Sequence, residues 1–158
     1  MSEKPHLSIV VPAYKEEKRI HKILDAVIDY EKDHDFLVEV VVVVDGHMDN
    51  TAEAAGKYKE RIPGLKIIDR KENKGKGFTV HQGMLEAEGK YIIFVDADNA
   101  TPIEQVDKLL KFAPDYPVVI GSRYVDGGRL AIPQSLFRKL GGRMLNLFIR
   151  ILAVPKIA

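Results

Sequence analysis

Asp96 and Asp98 lie two residues apart at the end of the apolar run Tyr91-Ile92-Ile93-Phe94-Val95. Two carboxylates at that spacing can turn toward one point where a chain leaves a sheet, and paired hard oxygens suit Mg²⁺ or Mn²⁺. The run ahead of them is β-branched and aromatic, the pattern expected of a central strand buried on both faces. Ligands of open α/β sheets bind at the carboxyl ends of strands, so position and chemistry agree. Other polar groups recur at comparable strand ends: Pro12-Ala13-Tyr14, Asp45-Gly46, Lys74-Gly75-Lys76-Gly77 and Gly121-Ser122-Arg123. Asp45-Gly46 would mark a turn in any case, and loop lysines such as Lys74 and Lys76 are commonly only solvated.

The elements that must carry these groups alternate along the chain. Leu7–Val11, Val38–Val44, Leu65–Ile68, Tyr91–Val95 and Val118–Ile120 read as buried strands. Between them, Ile20, Ile23, Leu24 and Val27 recur at helical spacing from Glu16 onward, with acids expected in the first turn, where the helix dipole favours them. A second helix is expected from about Asn50 or Thr51 to Tyr58, and a third after the glycine-rich loop Lys71–Gly77. Thr101-Pro102-Ile103-Glu104 combines a capping-box pattern with proline at the first helical position, and that helix should run to Pro114. This alternation predicts a mostly parallel α/β sheet flanked by helices. The tail differs, because Ser135–Leu152 is amphipathic with only positive charge, from Arg138, Lys139, Arg143 and Arg150. Such a segment suits a membrane interface or packing on a core.

With 158 residues the chain can bury a real core, and 24 Lys plus Arg against 23 Asp plus Glu leave no global field for nucleic acid. The absence of Cys excludes a disulfide framework and thiolate metal sites, and it fits a reducing compartment such as the cytoplasm. No secretory signal or run of about 20 apolar residues is seen, so a soluble or peripheral protein is expected. Gly75-Lys76-Gly77 lacks the third glycine of a dinucleotide fingerprint, and no GxxxxGK[ST] loop or HExxH pair occurs. Those absences exclude the Rossmann dehydrogenases, P-loop NTPases and zincins.

Five blocks, SIVVPAYKEEKRI, VDGHMDNT, NKGKGFTVHQGM, YIIFVDADNATPIEQVDKLL and VVIGSRY, occur in an order and spacing that resembles the family 2 glycosyltransferases, in particular the dolichyl-phosphate mannose and glucose synthases. The resemblance implies the GT-A fold, a Rossmann-like sheet holding a nucleotide-sugar, either GDP-mannose or UDP-glucose. It implies that Pro12, Ala13 and Tyr14 form the wall beside the base with Glu16 nearby, and that Asp45 accepts a hydrogen bond from the base edge. Asp98 would hold Mg²⁺ or Mn²⁺ on the diphosphate, with Asp96 at the ribose or ion and Ala97 between them. Lys76 and Arg123 would offset phosphate charge.

A core over residues 1–125 and an acceptor-side segment over 126–158 are expected on this basis. A lipid phosphate acceptor is already anionic near neutral pH and needs cations rather than a general base, so Arg129, Arg138 and Arg143 are the expected phosphate partners. Asp126 is the one candidate base for a hydroxyl acceptor. That favours inverting transfer to a polyprenyl phosphate at the cytoplasmic face of a membrane. Two alternatives stay open: a transferase that extends a glycan or cell-surface polymer, and a non-catalytic nucleotide-sugar-binding module. The sequence departs from the family's pattern at Val44-Asp45-Gly46-His47-Met48, where a valine replaces the first aspartate and a histidine the serine. It also stops at Ala158, where relatives continue, so a truncated acceptor site is expected.

Overall fold

The apolar runs become the parallel strands β1 (Leu7–Ala13), β2 (Val38–Val44), β3 (Leu65–Asp69) and β4 (Tyr91–Phe94). Helices α1 (Ile20–Lys32), α2 (Thr51–Gly56), α3 (Lys76–Glu86) and α4 (Val106–Leu110) alternate with them, and a 3-10 turn, Ile103–Gln105, leads into α4. The structure, a computed structural model, describes residues 4–121, nearly all of them in the compact unit Met1–Val119. Among the described residues the strand order is β3-β2-β1-β4. Every residue of β2 is buried, because both faces of this valine-rich strand are covered. On one face Ile9, Val11, Val40 and Val42 pack with Ile23, Leu24 and Val27 of α1, Ala55 of α2 and Val106 of α4. On the other, Val10, Val41 and Val43 form a smaller cluster beneath α3.

Several expectations need correction. Among the described residues β4 stands at the end of the sheet rather than at its centre, pairing with β1 alone, and Ile92 and Phe94 are 42% and 46% exposed. An apolar run specifies a strand, whereas its number of neighbours depends on the fold. Val118–Ile120 is not a buried strand either, since it joins no ladder and Val118 and Ile120 are 77% and 80% exposed. β propensity there has no described partner strand to pair with. α1 starts at Ile20 rather than Glu16, without acids in its first turn, because Glu16 and Glu17 belong to a hydrogen-bonded loop before it. The capping box from Thr101 to Glu104 does not form: Pro102 caps the 3-10 turn in an extended conformation (ψ 137°) with no side-chain cap bond. α4 then ends at Leu110. The expected amphipathic segment Ser135–Leu152 lies outside the described residues.

Two contacts seat α3 on the sheet. Gly83 lies so close that a Cβ there would stand 2.3 Å from Val10 Cγ1 and 3.1 Å from Val43 Cγ2. At the far end of the helix the buried Glu39 of β2 accepts hydrogen bonds from the Ser8 hydroxyl and the Glu88 amide (2.8 Å), and pairs with Lys66 at 2.7 Å. Burial alone would raise the Glu39 pKa, but Lys66, Ser8 and the Glu88 amide outweigh it and the net shift is downward.

Gly83→Ala is expected to lower stability by about 1–3 kcal/mol through overpacking, outweighing alanine's better helix propensity. An unchanged urea midpoint would mean that α3 can lift from the sheet. The lowered Glu39 pKa contributes stability that is present above the ordinary value of 4.5 and is lost as pH falls below it. Glu39→Gln should therefore be less stable than wild type at neutral pH and lose less on acidification, as read from denaturation curves at several pH values.

Candidate functional site

The parallel ladders bring the carboxyl ends of β1, β2 and β4 together with the start of α3. The register sets Ala13 beside Val44 and Val10 beside Phe94, so the residues after each strand emerge along one edge. A hollow of about 480 Å³ lies there, lined by Pro12, Ala13, Tyr14 and Glu16 from β1 and its loop, and by Asp45 from β2. Lys76 from α3 and Asp96, Ala97 and Asp98 after β4 complete the expected set, joined by Asn73, Gly75 and Thr79. A larger hollow, about 640 Å³, lies at the opposite strand ends beside His6, His34 and Lys90. It gathers none of these strand-end acids, so the smaller hollow is the candidate site.

Asp45 is buried, 3% exposed, and tied down from two elements. Its Oδ1 accepts a hydrogen bond from the guanidinium of Arg70, just past β3, and another from the Lys74 amide at 2.8 Å. Arg70 also donates to Thr79 Oγ1 (2.7 Å) and Gln82 Oε1 (3.2 Å), while the Thr79 hydroxyl donates to the Gly75 carbonyl. The Phe78 ring lies 4.9 Å from Arg70 and 5.1 Å from Lys74. Burial would raise the Asp45 pKa, but the Lys74 amide and the charge of Arg70 overcome it, holding the carboxyl below its usual range. Asp45 is thus an anion with one oxygen, Oδ1, committed to the protein. The Thr79 side chain lowers the same pKa further.

The acidic pair is more open. Lys76 Nζ stands 2.5 Å from Asp96 Oδ1, both side chains more than half exposed. Asp98 Oδ1 accepts the Ala100 amide at 3.0 Å, within a turn where Asn99 adopts φ 53°. No group of three or more His, Cys, Asp or Glu side chains converges among the described residues. A protein that supplies one or two carboxylates fits an octahedral Mg²⁺ or Mn²⁺ that takes its other oxygens from a diphosphate and water. With Lys76 already on Asp96, Asp98 would be the better placed ligand for such an ion.

Arg70, Thr79 and Asn73 were not anticipated from the sequence, whereas Gly75 belongs to the expected Lys74-Gly75-Lys76-Gly77 group. Arg70 does follow a strand directly, which is the positional signal that singled out the others. His47, in the loop after β2, stands 2.8 Å from Asp69 Oδ2 at the exposed rim. Arg123, Asp126, Arg129, Arg138 and Arg143 lie outside the described residues.

The model of the family described as "Glycosyl transferase family 2" matches residues 8–147. The chain belongs to that family. It is 35% identical over 164 residues to the dolichyl-phosphate beta-glucosyltransferase ALG5D of Trichomonas vaginalis, covering 96% of this chain and 50% of that protein. Among solved structures it is similar to S. aureus TarS 1-349 in complex with UDP-GlcNAc, with TM-score 0.60 and 29% identity over 84% of this chain and 38% of that one. It is also similar to glucosyl-3-phosphoglycerate synthase from Mycobacterium tuberculosis with Mn²⁺, UDP and glucosyl-3-phosphoglycerate. There the TM-score is 0.53 and the identity 25%, over 69% of this chain and 39% of that one. The fold is therefore the GT-A fold of glycosyltransferases. The chain spans about half the length of the curated relatives it matches.

In this family 2 site the Arg70–Asp45 pair is the contact most exposed to a test by mutation. Removing one partner of a buried ion pair strands the other charge, so Arg70→Met should cost about 3 kcal/mol or more. The double variant Arg70→Met/Asp45→Asn should recover a large part of that loss in urea denaturation. Equal stability of the single and double variants would mean that the pair is not coupled.

Proposed function

We propose that this chain carries the donor-binding part of a glucosyltransferase that moves glucose from UDP-glucose to a dolichyl or related polyprenyl phosphate. The observation that carries the choice of donor is the state of Asp45. Uracil presents a single N–H on its pairing edge, which one carboxylate oxygen satisfies. Guanine presents an N–H and an amino group side by side and calls for both oxygens. Because Oδ1 is committed to Arg70 and the Lys74 amide, the geometry supports a uridine nucleotide over GDP-mannose. The relatives' names, dolichyl-phosphate beta-glucosyltransferases from several organisms, support the same sugar and acceptor.

In this reading Pro12, Ala13 and Tyr14 flank the uracil. Glu16 Oε2, buried with no hydrogen-bond partner among the described residues, accepts from the ribose. Asp98, with Asp96 beside it, would hold Mg²⁺ or Mn²⁺, and such an ion would supply positive charge to stabilise UDP as a leaving group. The Lys76 ammonium turns from Asp96 to the diphosphate. The acceptor phosphate needs no general base, since its second pKa of about 6 leaves it anionic. Its oxygen attacks C1 of glucose from the side opposite UDP, the C1–O bond to UDP breaks with its electron pair going to the β-phosphate, and the configuration inverts. Arg123 adds charge at the donor phosphates, and Arg129, Arg138 and Arg143 hold the acceptor phosphate beside a membrane surface. No helix of the described residues is long and apolar enough to cross a membrane. The basic amphipathic tail, Ser135–Leu152, is the proposed membrane contact.

Calorimetric titration with UDP-glucose and GDP-mannose, each with and without Mn²⁺, tests the donor and the metal together. UDP-glucose should bind at least about tenfold more tightly than GDP-mannose, a difference of about 1.4 kcal/mol. Mn²⁺ should strengthen that binding, and Asp98→Asn should abolish the metal's effect. Equal affinity for both donors would sink the base argument, and turnover on a soluble sugar without any lipid phosphate would sink the acceptor.

A further inference from the structure

Tyr14 and Glu16 of the hollow flank Lys15, whose φ of 55° is left-handed, an uncommon conformation for a residue with a Cβ. Within the β1–α1 loop Lys15 Nζ lies over the Tyr14 ring, 5.3 Å from its centre. The residues that follow the turn are held from the β2–α2 segment. Thr51 Oγ1, fully buried, accepts the Glu16 amide at 2.9 Å and donates to Asp49 Oδ1 at 2.5 Å. Asp49 Oδ2 accepts the Glu17 amide at 3.2 Å, and Asp49 Oδ1 also accepts the Thr51 amide at 3.1 Å. The Glu17 carboxylate reaches back to the Asn50 side-chain amide at 3.3 Å. The two loops are therefore clasped by reciprocal hydrogen bonds just after the strained residue, while Ala13 ahead of it is fixed in the β1–β2 ladder. Neither Asp49 nor Thr51 lines the hollow.

We propose that Asp49 and Thr51 are positioning residues of the nucleotide site: they hold Lys15 left-handed and so set Tyr14 and Glu16 against the base and ribose. The proposal rests on the reading of the hollow as a uridine-nucleotide site. It predicts a dependence on the Thr51 hydroxyl rather than on its shape. Valine fills the same space but leaves the Glu16 amide without an acceptor, whereas serine keeps the oxygen.

The experiment compares wild type, Thr51→Val, Thr51→Ser and Asp49→Ala by amide hydrogen exchange without nucleotide and by UDP titration with and without Mn²⁺. In Thr51→Val and Asp49→Ala, exchange at Glu16 and Glu17 should quicken about tenfold while β1 and β2 amides keep wild-type rates, and UDP should bind about tenfold more weakly, on the scale of one lost hydrogen bond. That weakening should persist without Mn²⁺, and Thr51→Ser should stay near wild type. Wild-type exchange and affinity in Thr51→Val would overturn the proposal. So would exchange that quickens throughout the sheet, which would mark a merely structural threonine. A wild-type protein that binds no UDP overturns the uridine-site reading and the positioning role with it, while unchanged exchange at Glu16 and Glu17 alone overturns the clasp.

Discussion

Two adjoining strands that are apolar on both faces must be covered on both faces, and the rest of this fold answers that constraint. β1 and β2 bury Ile9, Val11, Val40 and Val42 on one side and Val10, Val41 and Val43 on the other. Each buried aliphatic side chain contributes on the order of 1.5–3 kcal/mol, so leaving either face open would outweigh the net stability of a domain this size. Helices supply the cover, and a helix between two strands that pair side by side makes the strands parallel. Parallel strands share one carboxyl edge. The site exists where it does because the core demanded covering.

At that edge the protein handles its charges in two ways. Asp45 and Arg70 are nearly out of water, and their attraction is supported by the Lys74 amide, which donates to Asp45, and by Thr79 and Gln82, which accept from Arg70, while Arg70 Nε is buried with no partner among the described residues. Such a pair is rigid, and it offers a ligand one oriented oxygen instead of a mobile carboxylate. Asp96 and Lys76 form a comparably short contact in the open, where solvent screening leaves it weak. An exposed pair can separate when a phosphate and a metal ion arrive. On the proposed reading the base side would be preorganised and the phosphate side adjustable, a division that suits a nucleotide held by its base while its diphosphate gains charge as the bond to the sugar breaks.

Much of this was legible in the residues. Polar groups directly after apolar runs, at Pro12-Ala13-Tyr14, Asp45, Lys76 and Asp96-Ala97-Asp98, do gather at one hollow, because strand ends in a parallel sheet are neighbours whatever their separation in sequence. Arg70 was missed although it also follows a strand, since a basic residue in a basic loop gives no sign that it is buried. The end position of β4 among the described strands and the exposure of Val118 and Ile120 were missed for a related reason. Periodicity reports what a segment prefers and carries no information on how many partners it finds.

Asp96 and Asp98 illustrate the division. From the sequence alone the chain's family, its alternation of strands and helices, and the carboxylates, lysine and glycines at the strand ends were determined, because these depend on residue type and local spacing. Only the tertiary structure decided that Asp96 is engaged by Lys76 and that Asp45 has one oxygen committed to Arg70. It also decided that Asp49 and Thr51 brace the loop carrying Tyr14 and Glu16. Those facts join residues 20, 25 and 32 to 35 positions apart. Hydrogen bonds of that range are set by how helices and strands pack, which no local pattern encodes.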